Sequence, residues 1–122
     1  MDVLLRGLDS DGHLALVEMT VSADNGGPPL HVHPTHAEGF YVLEGELTVQ
    51  VGDTIATAHA GDFVFAPADT AHTFANFSGS HARMLVVCTP AGFETYFEQL
   101  AAGLPATPPP DQAVTVGPRL RR

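Results

Sequence analysis

The strongest constraint in this sequence is a run of strict alternation. From Glu46 to Val51, the apolar Leu47, Val49 and Val51 interleave with Glu46, Thr48 and Gln50. Successive side chains of a strand point to opposite faces, so this run predicts a strand with one buried and one wet face. Gly52-Asp53 follows, then Thr54–Ala58. A two-residue loop that opens on Gly suits a type II′ hairpin. The same pattern recurs along the chain. Asp9 to Gly12 reads as a turn, and His13–Ser22 as a strand with Ala15, Val17, Met19 and Val21 on one face. After the loop Ala23–Pro29, strands are expected at Phe40–Leu43, Phe63–Phe65, His72–Phe77 and Arg83–Thr89, separated by turns at Ala60–Asp62, Pro67–Thr70 and Ser78–Ser80. Arg83–Thr89 is apolar enough to suggest burial on both faces. Short strands every ~8–12 residues with turn signals between them indicate an all-β sandwich or small barrel.

The pattern changes at Pro90. Phe93, Tyr96, Phe97 and Leu100 fall on one helical stripe. Thr89 suits the cap, Pro90 the first turn and Gly103 the end. The stripe predicts a helix docked on its own barrel. Beyond Leu104 the chain reads P-A-T-P-P-P-D, an extended and stiff composition. Val114–Val116 reads as a small edge strand, and G-P-R-L-R-R as a mobile tail. The expected division is a barrel with its helix over 1–104 and a Pro-rich extended tail over 105–122.

A chain of 122 residues predicts one domain. The formal net charge is −9, and three of the five basic residues are Arg119, Arg121 and Arg122. Phosphate neutralisation needs a basic face, so no nucleic-acid partner is expected. No apolar run approaches the ~18–20 residues of a spanning helix, so no membrane partner is expected either. Met1 to Arg6 lacks the basic start and apolar core of a signal peptide, and a cytoplasmic location is the simplest expectation. The single cysteine, Cys88, has no partner for an internal disulfide and is expected to act as a small buried hydrophobe.

Between Leu30 and Gly45 the sequence reads L-H-V-H-P-T-H-A-E-G-F-Y-V-L-E-G. On a strand, His31 and His33 point the same way; Glu38, Phe40 and Val42 share one parity in the next segment. Two imidazoles and a carboxylate on one side of a sheet make a candidate metal site, and His72 in D-T-A-H-T-F-A-N is a further candidate.

These stretches resemble the two motifs of the cupin superfamily, and small quercetinase-like cupins in particular. His31, His33, Glu38 and Gly45 match the first motif, with Asn25 in place of its leading Gly. Gly61, Pro67, His72 and Asn76 match the second, with Asp69 in place of its middle Gly. Asp tolerates turn conformations well, so that departure leaves the motif usable. The resemblance implies a jelly-roll barrel in which His31, His33, Glu38 and His72 hold one divalent ion, with ligand atoms about 2.0–2.2 Å from it. Nitrogen and oxygen ligands without a thiolate suit Fe, Mn, Ni, Cu or Zn and do not choose among them. Four polar groups inside a small barrel would be costly to bury without a partner, and an ion supplies one.

His36 falls out of phase with His31 and His33 in a Pro-containing turn, and is expected to be a solvated loop residue. His13, His59 and His81 are expected at turns or strand ends. Phe40, Phe63, Phe65 and Phe74 are expected in the core and as walls of a substrate pocket. The resemblance spans several activities. The first expectation is a dioxygenase-like enzyme acting on a small, mostly apolar oxygenated molecule, with Glu38 taking a substrate proton. A non-redox polyketide cyclase or isomerase, or a non-catalytic metal- or ligand-binding module, stands beside it. A homodimer is expected, since pairing protects an exposed strand edge.

Overall fold

The computed structural model describes residues 1–104, 108 and 111–122. Its strands are β1 (Asp2–Leu5), β2 (Ala15–Val21), β3 (His31–Val32), β4 (Ala37–Glu44), β5 (Glu46–Val51), β6 (Thr54–His59), β7 (Phe63–Ala66), β8 (His72–Ala75), β9 (Ala82–Thr89) and β10 (Val114–Thr115). One helix, α1 (Glu94–Ala101), lies between β9 and β10. The strands form two five-stranded sheets, ordered β1-β2-β9-β4-β7 and β10-β3-β8-β5-β6. β4 pairs with β7 and β9, whereas β5, next along the chain, pairs with β6 and β8 in the other sheet. This crossing between sheets is the jelly-roll arrangement that the cupin resemblance implies.

The core lies between the sheets. Val17 and Val21 of β2, Phe40 and Val42 of β4, and Met84 and Val86 of β9 meet Leu47 and Val49 of β5 there. Each large apolar side chain so buried stabilises the fold by roughly 1.5–3 kcal/mol. The hairpin reads as expected: Val51 pairs with Thr54 across Gly52-Asp53, and Gly52 alone of the two has a positive φ, 58°. Asp69 adopts φ 63°, the left-handed turn conformation that Asp tolerates better than most residues. Near the other departure, at Asn25, the chain needs a glycine at Gly27. It has φ 71°, and a Cβ there would fall 1.7 Å from the Phe74 carbonyl oxygen.

Strand β1, which the sequence pattern does not announce, pairs with β2. Three expectations are corrected. β9 is not buried on both faces: Ala82, Met84, Val86 and Cys88 are buried, whereas Arg83, Leu85 and Val87 are half-buried. Among the described residues no further layer covers their face, and Arg83 there binds Glu18 at 2.6 Å and Glu44 at 3.0 Å. The helix begins at Glu94, not at Pro90; Thr89 Oγ1 donates to the His13 carbonyl instead of capping it. Phe93, Tyr96 and Phe97 turn toward the core as the stripe implies, and Leu100 is left exposed. Lastly, the end of the chain is held. β10 pairs with β3, Leu30 N–H donates to the Pro118 carbonyl at 3.1 Å, and Arg122 bonds Asp24 and lies over the Phe77 ring. Most of the expected stiff stretch after Leu104 lies outside the described residues.

Candidate metal centre

The two sheets bring the four motif residues face to face. His31 pairs directly with His72 across β3 and β8. Glu38 stands on β4 in the opposite sheet, between Cys88 of β9 and Ala66 of β7. His33, Glu38 and His72 are buried and His31 is half-buried. Glu38 Oε1 lies 3.2 Å from His33 Nε2, and Oε2 lies 3.2 Å from His72 Nε2. The facing nitrogens of His31, His33 and His72 lie within 4.8 Å of one another.

Backbone carbonyls orient these three imidazoles. His31 Nδ1 donates to the Pro29 carbonyl at 2.8 Å, His33 Nδ1 to Gln112 at 2.7 Å and His72 Nδ1 to Thr70 at 2.9 Å. A carbonyl only accepts, so each Nδ1 carries the proton and each Nε2 turns a lone pair inward. Metal-ligating histidines are held in this way. His33 Nε2 is a fully buried nitrogen with no hydrogen-bond partner among the described residues. With its Nδ1 proton given to Thr70, a neutral His72 likewise turns an Nε2 lone pair toward Glu38 Oε2 at 3.2 Å, a pairing that a proton or a metal cation between them would satisfy. The donor set therefore fits a divalent ion held by His31, His33, Glu38 and His72.

The charges agree with this arrangement. Burial by itself would raise the Glu38 carboxyl, but His33, His36 and His72 hold it well below the usual carboxylate range. Burial pulls His33 down, yet the Glu38 carboxylate outweighs it and raises the imidazole. Burial lowers His31, and its neighbours His72 and His33 add to that. An ionised Glu38 and His31, whose charged form burial disfavours, give the site a negative and a neutral donor.

A cavity of about 470 Å³ opens on this cluster. His31, His33 and Glu38 form its polar floor, and Phe40 and Phe74 wall it. No Lys or Arg lines it among the described residues. Phe63 and Phe65 are elsewhere: they are about half exposed and do not line the cavity, which corrects their assignment to the core and the pocket. They share the parity of Tyr41 and Gly39 on the outer side of the sheet, where the Phe63 ring covers Gly39.

His36 is also corrected. It is buried, not solvated, with its ring stacked on His33 at 4.2 Å and its Nε2 3.4 Å from Glu38 Oε1. Cys88 is buried as expected, but its Sγ lies 3.7 Å from the same oxygen. Burial, with Glu38 beside it, pushes the thiol far above its ordinary range, so it stays protonated and is a donor to the carboxylate. Phe93 closes the group with its ring 4.7 Å from His33 and 4.9 Å from His36. Asn76, the last residue of the second motif, has a structural role: its Nδ2 donates to the Val21 and Ser80 carbonyls, and its Oδ1 accepts from Ser78.

The family model described as "Cupin domain" matches residues 17–88, which is more than half of the chain. The chain belongs to the cupin family. It is 34% identical over 70 residues to quercetin 2,3-dioxygenase of Bacillus subtilis (strain 168), a match covering 57% of this chain and 20% of that protein. The chain thus spans about a fifth of the length of this curated relative. The solved TT1209 protein of Thermus thermophilus is 33% identical, with a TM-score of 0.61 over 65% of this chain and 74% of that one. KdgF from Halomonas sp. has a TM-score of 0.68 over 77% of this cupin and 80% of its own chain; at 17% identity this likeness is one of fold alone.

Proposed function

We propose that this cupin binds one divalent metal ion through His31, His33, Glu38 and His72. We further propose that it is a metal-dependent, dioxygenase-like enzyme for a small, mostly apolar oxygenated molecule. The observation that carries the metal reading is the shared wiring of three imidazoles, each anchored through Nδ1, with the Nε2 atoms of His33 and His72 each 3.2 Å from one ionised, buried carboxylate. When bound, such an ion supplies Lewis acidity and a template for oxygen ligands. The rest of the chemistry falls to the chain. Phe40 and Phe74 offer a substrate apolar contact, and the lack of a lining cation among the described residues disfavours a strongly anionic one. Glu38 is the one carboxylate that lines the cavity among the described residues, and so the group placed to take a proton from a bound molecule. The oxidative reading draws its support from the 34% identity to a quercetin dioxygenase.

The test is dioxygen uptake by the metal-loaded protein with a flavonol or a 1,3-diketone. Uptake that depends on both metal and substrate is expected. Turnover of a β-polyketone without oxygen would replace this reading with the cyclase one. We also propose a homodimer. Tyr41, Phe63 and Phe65 leave apolar surface exposed along β4 and the edge strand β7, and a second copy would cover it. Sedimentation showing only a monomer at micromolar concentration would contradict the pairing. Among the described residues no helix is long and apolar enough to cross a membrane.

A further inference from the structure

Three imidazoles, those of His33, His36 and His72, lie within 3.4 Å of Glu38, and two overlapping trios have the spacing to hold an ion: His31 with His33 and His72, and His33 with His36 and Glu38. Distance alone does not separate them, but proton placement does. His31, His33 and His72 each spend their Nδ1 proton on a backbone carbonyl. His36 has the opposite wiring. Its Nε2 makes the hydrogen bond to Glu38 Oε1 at 3.4 Å. An ionised carboxylate only accepts, and among the described residues His36 Nδ1, unlike His72 Nδ1, has no carbonyl to donate to; the one proton of a neutral His36 ring is thus placed on Nε2, which then has no lone pair to give an ion. His33 Nε2 lies slightly nearer to the same oxygen, at 3.2 Å, but makes no hydrogen bond to it.

We infer that His36 is a positioning residue for Glu38: it holds Oε1 by donating Nε2–H, and so fixes the carboxylate whose Oε2 faces His72. This rests on the metal reading proposed above. The two oxygens of Glu38 have different neighbours. Oε1 receives His36 Nε2–H and the Cys88 thiol at 3.7 Å, while Oε2 has the His72 nitrogen. The His36 ring has little freedom to leave this contact. It lies at 29° to the His33 ring, with Phe93 packed against both. A carboxylate held at one oxygen keeps the other aimed and loses less rotamer freedom when an ion binds. Residues that bond to a ligand in this way typically contribute 10–100-fold to metal affinity.

The first test is histidine tautomer assignment by nitrogen-15 NMR on the full chain loaded with Zn(II). The expected result is Nδ1–H at His31, His33 and His72, and Nε2–H at His36. Zinc on His36 Nε2, or a proton on His36 Nδ1 alone, would overturn the inference. The second test is Co(II) titration followed by visible absorption. His36→Phe keeps a ring against His33 and Phe93 but donates nothing; it should weaken Co(II) binding about 10–100-fold while keeping the same number of nitrogen ligands. His36→Gln, which carries an amide N–H, should recover most of that affinity. Unchanged Co(II) affinity in His36→Phe overturns the positioning role and leaves the metal site standing. A wild-type chain that takes up no Co(II) or Zn(II) overturns both.

Discussion

Strand β4 joins two halves of one barrel interior that both hold fully buried side chains and are chemically opposite. At one end Val42 packs with Leu47 and Met84; at the other Glu38 meets His33, His36 and His72. Met84 is 0% exposed and His72 1% exposed. Burial therefore says nothing about the role of a residue here, whereas the kind of partner it needs says a great deal. The apolar half is satisfied by contact alone. A polar group deprived of water must instead find a partner, or it costs roughly 1–3 kcal/mol. The polar half finds carbonyls for three Nδ1 atoms and donors for Glu38 Oε1, but nothing among the described residues for His33 Nε2. The apolar half should thus govern stability and the polar half metal binding and turnover, with little exchange between them.

The largest test of that division is at Glu38. Glu38→Gln keeps the shape but removes the negative charge and the base. Turnover should fall by about 10²–10⁴-fold, the usual contribution of a positioned general base, while metal content falls less. His72→Ala should show the reverse emphasis, with metal content collapsing and the β-sheet circular dichroism retained. Metal content and activity measured on the same preparations separate the two. A Glu38→Gln protein with full metal and full activity would reduce Glu38 to a structural residue.

In the apolar half, Leu47→Ala should cost about 2–5 kcal/mol in urea unfolding and leave metal affinity unchanged. A large loss of affinity in that variant would show that the halves are coupled. Adding metal should stabilise the wild-type chain by about 2.7 kcal/mol when free ion reaches about 100 times Kd, and should do nothing for His72→Ala. Thermal unfolding with and without a chelator reads this out.

The smallest effect belongs to Glu94, a buried acid outside both halves. Burial pushes its carboxyl up, but N–H donors from Gly7 and Gly92 and the nearby Arg6 charge outweigh this and lower it. A carboxyl lowered by folding contributes stability above its unfolded pKa and loses it as pH falls through the folded value. Glu94→Gln should therefore cost about 1 kcal/mol near neutral pH, with the difference from wild type shrinking in acid. A difference that grew as pH fell would contradict the assignment.

The fold is legible in the sequence because alternation and turn chemistry are local. Leu47, Val49 and the Gly52-Asp53 loop define their hairpin without help from the rest of the chain. The motif histidines are legible as a set for the same reason. What escapes the sequence depends on long-range contact. His36 differs in parity from His31 and His33, which hides it, yet it shares the parity of Glu38, and that is the usable signal. The Gln112 carbonyl that orients His33 comes from the far end of the chain, and no local pattern announces it. Phe63 and Phe65 mislead because aromatic residues on a short strand look like core, whereas β7 is an edge strand on whose outer face both rings stay half exposed.

The most direct test of the central claim is elemental analysis of the protein as purified, with His72→Ala prepared alongside. About one transition-metal or zinc ion per chain is expected in the native protein, with a large loss in the variant. A native protein with no ion, which also takes up none when divalent metals are supplied, would contradict the account. So would a His72→Ala protein that keeps its full complement.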